Sequence, residues 1–122
     1  MIETEGLTHI HFIVRDMERS LRFYRQVFGM QELFREGPTM IFLRTLGRND
    51  TVTLNEDASL HEHAGDNGGI QHFGFRLLDK ADLDRAVKEV EAAGGRLLRR
   101  GEHEPGHPFA YVADPDGYTI EL

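Results

Sequence analysis

Three side chains of this sequence have the types and placement to hold a metal ion: His9, His72 and Glu121. The two histidines open two copies of one pattern. His9-Ile10-His11-Phe12-Ile13-Val14-Arg15-Asp16 and His72-Phe73-Gly74-Phe75-Arg76-Leu77-Leu78-Asp79 have the same His-to-Asp spacing, and each runs into a helical pattern. A repeat of this kind implies two similar supersecondary units whose equivalent residues meet near a pseudo-twofold axis. Two imidazoles and one carboxylate, with coordination positions left open, form the facial arrangement used by non-haem Fe(II) and related divalent metals. The expectation is one divalent ion, with Fe2+ favoured over Mn2+, Ni2+ or Zn2+.

Alternation sets the direction of these side chains. Ile10, Phe12 and Val14 form an apolar row that packs under a helix, which leaves His9, His11 and Ile13 on the other face. Phe73, Phe75 and Leu77 repeat the apolar row, and His72, Gly74 and Arg76 share the opposite one. Near the end, Asp114-Pro115-Asp116-Gly117 reads as a turn with Pro at its second position, followed by Tyr118-Thr119-Ile120-Glu121-Leu122. Ile120 and Leu122 are the buried row there, so Glu121 joins the face that carries the two histidines. Arg76 on that face is placed to hold an anionic substrate group.

Positioning these residues takes two βαβββ units. Asp16 caps a helix with the stripe Met17, Leu21, Tyr24, Val27 and Phe28, and Gly29 supplies a left-handed stop. Strand-like runs follow at 31 to 36, 39 to 46 and 50 to 55, divided by Gly37-Pro38 and Gly47-Arg48-Asn49. Asp79 repeats the cap, Leu83, Val87 and Val90 repeat the stripe, and Gly94-Gly95 ends the second helix. Strands near 96 to 100, 108 to 113 and 118 to 122 complete the second unit. The fold class is α+β, with two modules (1–56 and 70–122) joined by a linker at 57–69 into a cupped, barrel-like mixed sheet with helices outside. His61-Glu62-His63 falls in that linker and reads as solvated loop.

Composition narrows the partners. With no cysteine, thiolate ligands, disulfides and a cysteine nucleophile are excluded, so any metal binds through N and O. A formal charge of −7 without Lys/Arg clusters disfavours nucleic acid. There is no long apolar run and no leader pattern, so neither a membrane span nor export is expected, and the compartment expected is the cytoplasm. A small-molecule substrate is the expected partner, together with a second copy of the chain. Each cupped sheet has an open edge and face, and in a module-swapped homodimer His9 of one chain would meet His72 and Glu121 of the other.

The whole chain resembles the vicinal oxygen chelate superfamily of glyoxalases, extradiol dioxygenases, fosfomycin resistance thiol transferases, methylmalonyl-CoA epimerases and metal-free bleomycin resistance proteins. The resemblance rests on the two His-to-Asp openings, on the run Arg19-Ser20-Leu21-Arg22-Phe23-Tyr24-Arg25-Gln26-Val27-Phe28-Gly29, and on the closing Asp114 to Glu121 segment. It implies that His9, His72 and Glu121 are the metal ligands. Where glyoxalases carry a Glu and epimerases a Gln on the first unit's fourth strand, this chain has Thr53, which leaves a three-ligand site and a residue free to meet substrate. The segment from Gly101 to Gly117 is similar to the extradiol dioxygenase signature, with Ala110 out of pattern, and implies catalytic roles for His103 and Tyr111. The acid-base histidine common at the start of the fourth strand is missing at Asn49-Asp50, and His11 is the substitute candidate. The resemblance thus implies a metal-dependent enzyme that chelates two neighbouring substrate oxygens, with ring-cleavage dioxygenase ahead of glyoxalase-like lyase or isomerase and thiol transferase. A metal-free drug-binding protein is the non-enzymatic alternative.

Overall fold

Asp16 starts the first helix a few residues after the first strand ends. Its backbone is extended, its carboxylate accepts from the Arg19 amide, and the helix closes at Gly29, whose φ of 64° suits a residue without Cβ. In the computed structural model, which describes residues 1–122, the first unit runs β1 (His9–Ile13), α1 (Met17–Phe28), β2 (Gln31–Glu36), β3 (Met40–Arg44) and β4 (Thr51–Asn55). The second runs β5 (Phe73–Gly74), α2 (Leu83–Ala92), β6 (Arg96–Glu102), β7 (Pro108–Ala113) and β8 (Thr119–Glu121). Each unit forms its own four-stranded sheet, ordered β1-β4-β3-β2 and β5-β8-β7-β6, with the first pair parallel and the others antiparallel. The expected βαβββ repeat is present. No ladder joins β1 to β5, so the two cupped sheets stay separate and do not close into a barrel.

The registers superimpose the two units residue by residue. In the first sheet His11 pairs with Thr53, Thr53 with Phe42, and Phe42 with Phe34. In the second, Gly74 pairs with Glu121, Glu121 with Tyr111, and Tyr111 with Arg99. Both outer strands carry a register shift one step before that row, at Glu32/Phe34 and Leu97/Arg99. Thr53 therefore occupies in the first sheet the place of Glu121 in the second.

The opposite faces and the helix stripes make one core. Met17, Leu21 and Tyr24 of α1 and Leu83, Val87 and Val90 of α2 are buried together with Val14, Ile41, Leu43, Leu54, Val112 and Ile120. Aromatic contacts cross between the units: Phe12 lies 5.7 Å from Phe73, and Phe28 stacks on Phe75 at 4.0 Å between ring centroids. Each of these buried side chains contributes about 1.5–3 kcal/mol, against which stands the entropic cost of ordering the chain. No helix is long and apolar enough to cross a membrane.

Two expectations shift in detail. The strand alternation expected from His72 to Leu77 shrinks to a two-residue ladder at Phe73–Gly74, extended by one bond from the Phe75 amide to the Glu121 carbonyl. Its partner β8 is only three residues long, whereas β4 pairs with all five residues of β1. Asp79 caps a 3₁₀ turn at Lys80–Asp82 through the Ala81 amide, and α2 follows that turn at Leu83, three residues later than the repeat implied. His61–His63 also forms an exposed 3₁₀ turn within the connection.

Candidate metal centre

Glu121 is the last residue of β8 and is gripped from both sides. One carboxylate oxygen lies 2.9 Å from His72 Nε2 and the other 2.6 Å from His103 Nε2. His72 and Glu121 side chains are each about a quarter exposed, at 26%. The hydrogen bond from His103 and the positive field of His103 and His72 hold the Glu121 carboxyl below the usual carboxylate range. The surrounding rings fix the geometry. His103 stacks on Phe109 at 4.3 Å, Tyr111 meets His72 edge-on at 4.9 Å, and the Arg99 guanidinium lies over the Phe109 and Tyr111 rings at 5.4 and 5.9 Å. The chain supplies no hydrogen bond to the Tyr111 hydroxyl.

The two candidate ligand histidines are oriented by the same local device. His9 Nδ1 lies 2.8 Å from the hydroxyl of Thr8, and His72 Nδ1 lies 3.1 Å from the amide oxygen of Gln71. In each case the preceding residue takes Nδ1, which leaves Nε2 as the nitrogen on the other side of the ring, beside Glu121 in the case of His72. His9 Nε2 has no partner within the chain. Two imidazole nitrogens presented this way, plus a carboxylate already within 2.9 Å of one of them, match the N/O donor set that a divalent ion requires.

A single chain does not gather the set. No three His, Asp or Glu side chains converge on a point that could hold a metal ion. His72, Glu121, His103 and Tyr111 come together on the second sheet, while His9, His11 and Thr53 lie on the first. His11 is turned to Asn55, whose amide nitrogen is 3.1 Å from its Nε2. Thr53 is 1% exposed, and its hydroxyl is buried without a partner. Arg76 lines a cavity of about 570 Å³ beside Glu121 and His103.

One group of polar residues is not singled out by sequence reasoning. Asp116 is buried, and its carboxylate accepts from the Arg15 amide, the Arg15 and Arg19 guanidiniums and the Ser20 hydroxyl, all from the α1 region. Asp114 accepts from the Tyr24 hydroxyl at 2.8 Å and from the amides of Asp116, Gly117 and Tyr118. Burial, reinforced by the neighbouring Asp116 charge, pushes the Asp114 carboxyl up to about 6. Gly65 packs so tightly on this turn that an added Cβ would clash with the Asp116 carbonyl. The signal is present in the turn motif itself, whose two carboxylates exceed what a turn needs.

Residues 6–122 match the family model described as the Glyoxalase/Bleomycin resistance protein/Dioxygenase superfamily. The chain belongs to that superfamily. It is 33% identical to lactoylglutathione lyase GLX1 of Arabidopsis thaliana, over 93% of this chain but only 42% of the plant enzyme's length. It is 27% identical to a manganese-dependent 2,3-dihydroxybiphenyl 1,2-dioxygenase of Geobacillus genomosp. 3, over 93% of this chain and 35% of that enzyme. Among solved structures, the fosfomycin resistance protein FosX of Mesorhizobium loti superimposes with a TM-score of 0.75 at 26% identity, covering 98% of this chain and 91% of that one. The family and the fold are thereby shown, and the relatives span three different chemistries.

Proposed function

We propose that this chain is a divalent-metal enzyme acting on a substrate with two neighbouring oxygens, and that its reaction is an extradiol-type ring cleavage. The observation that carries the reading is the residue-by-residue match of the two sheets, which puts Thr53 where a fourth ligand would stand and leaves His72, Glu121, His103 and Tyr111 clustered on one face. The name of the manganese-dependent dioxygenase relative supports both the metal and the substrate class. Mn(II) is therefore to be tested beside Fe(II). The names of the lyase relatives favour a glyoxalase-like reaction as the second reading, and the uncharged Thr53 removes the carboxylate that reaction would use as a base.

His9, His72 and Glu121 would hold the ion, with His9 supplied by a second copy of the chain, since one copy alone does not bring the three together. Once bound, the ion supplies Lewis acidity and a template for adjacent oxygens. His72 and His9 present Nε2 because Gln71 and Thr8 occupy Nδ1. His103 Nε2, hydrogen-bonded to Glu121, is placed to move a proton to or from a substrate hydroxyl. The Tyr111 hydroxyl is free to donate to an oxygen on which charge develops. Phe109, stacked on His103, gives an apolar wall beside these groups.

Complementation tests the shared site. His9→Ala and His72→Ala chains should each lack bound metal and oxygen uptake with a catechol, and a mixture refolded together should recover about a quarter to a half of the wild-type sites. Failure of the mixture to recover metal, or a monomer by light scattering at micromolar concentration, would overturn the shared arrangement. Thiol-dependent turnover of an epoxide, or isomerisation of a hemithioacetal, with no oxygen uptake would move the reaction to another branch.

A further inference from the structure

We infer that the cavity beside Glu121 is a carboxylate-recognition subsite, so that the substrate is an acid with its vicinal oxygens at one end and a carboxylate at the other. This rests on the metal-enzyme reading above for the part of the cavity at Glu121. The part at Arg76 and Lys80 is independent of it.

The cavity is bounded by the continuation of β5, the β6–β7 hairpin, the start of α2 and the end of β8. Phe75, Leu77 and Phe109 belong to its apolar lining, and Arg76, Lys80 and His107 line it together with Glu121 and His103. Arg76 makes no ion pair and no side-chain hydrogen bond. Lys80 donates one hydrogen bond, to the Gly106 carbonyl at 2.9 Å, which leaves its other two N–H groups free.

No carboxylate of the chain answers these cations. Glu121 is the only acidic side chain lining the cavity, and both its oxygens are taken by His72 and His103. The nearby acids of α2 and its leading turn are also engaged, Asp82 with Arg85 and Asp84 with Arg100, while Asp79 caps the Ala81 amide. In a chain with 21 acidic and 14 basic residues, two cations lining one cavity without an ion pair to any carboxylate are a recognition feature in want of an anion. A guanidinium fork and an ammonium lining the same cavity match a planar carboxylate, and its apolar lining matches a ring or a short carbon chain. A neutral diol would leave both cations unsatisfied.

Binding separates this subsite from the reaction. Calorimetric titration of the Mn(II)-loaded protein with a catechol carrying a propionate arm, and with the methyl ester of the same compound, compares ligands that differ only in the carboxylate. The acid should bind about 10-fold tighter than the ester, the scale of one charge-assisted pair at a partly exposed site. Arg76→Met should bring the two affinities together while leaving the ester unchanged, and Arg76→Lys should retain part of the preference. Arg76 is exposed, so the fold tolerates these changes. Equal affinities in the wild type, or an acid preference that survives in Arg76→Met, would overturn the subsite. Oxygen uptake in the same samples judges the ring-cleavage reading separately: acid preference without uptake upholds the subsite and removes that reaction, and uptake without acid preference does the reverse.

Discussion

The two sheets have matched registers and unmatched rows. Across the first runs Phe34, Phe42, Thr53, His11, and across the second Arg99, Tyr111, Glu121, Gly74. One scaffold thus presents an aromatic, uncharged wall and a charged, hydrogen-bonding one. Bulk is exchanged as well as polarity: His11 is large beside small Thr53, and Gly74 is small beside large Glu121, where an added Cβ would come within 3.2 Å of the Glu121 carbonyl. The turns differ in the same sense. Asp50 of the first unit folds back on its own hairpin, accepting from the Thr45 amide and hydroxyl, while Asp116 of the second crosses to α1 of the first. Repetition therefore supplies positions for chemistry, and single-residue departures from it decide which half grips and which half walls.

The largest effect expected from breaking this asymmetry is at the gripping row. Glu121→Ala or His72→Ala should lower metal affinity by more than about 100-fold, since loss of even a residue supporting a ligand costs about 10–100-fold. Equilibrium dialysis against Mn(II) reads it directly, and unchanged affinity would show that the second sheet is not the gripping half. Next is the crossing turn. Asp116→Ala removes acceptors for four donors, and because Arg15 and Arg19 remain 39% exposed the loss should be about 2–3 kcal/mol, read by urea unfolding. Asp50→Ala, which touches only its own hairpin, should cost about 1 kcal/mol, and equal losses at the two positions would erase the distinction between the turns.

Acidity gives a comparable handle on the same turn. The Asp114 carboxyl, at about 6 in the fold against 3.8 as its ordinary value, binds its proton more tightly in the folded state. Its contribution to stability is therefore fully present below about pH 4 and lost as pH rises through 6, an effect of about 2–3 kcal/mol. The difference in unfolding free energy between wild type and Asp114→Asn should trace that fall between pH 4 and 7, and a flat difference would contradict it. The smallest effect is at Thr53. Replacing its buried, unpaired hydroxyl by the methyl of Thr53→Val should stabilise an isolated chain by about 1 kcal/mol. Destabilisation instead would reveal a hydrogen bond made by that hydroxyl, from a second copy or a substrate, and so a wall with a polar contact of its own.

Much of this arrangement is legible in the amino-acid sequence. Strand alternation places His9, His72 and Glu121 on their faces correctly because period two follows from backbone geometry alone. The stripes of both helices are legible for the same kind of reason. What escapes is set by lengths and by distant contacts. The short ladder of β5 depends on how far β8 extends, and the Lys80–Asp82 turn depends on local choices that the matching Asp16 and Asp79 conceal. That His9 does not join His72 and Glu121 within one chain depends on how the two separate sheets are arranged, which no local pattern encodes. Asp116 reads as part of a turn because its partners sit about a hundred positions earlier.

That last separation has a consequence for how the chain acquires its shape. The polar underside of α1, with the Arg15 amide, the Ser20 hydroxyl and two guanidiniums, finds its acceptor only when residues 101 positions away arrive. The first repeat cannot complete its own hydrogen bonding, so it is not a free-standing foldon despite its matched architecture. The chain should accordingly melt in one cooperative transition, as a single unit with high contact order rather than as two beads on a string.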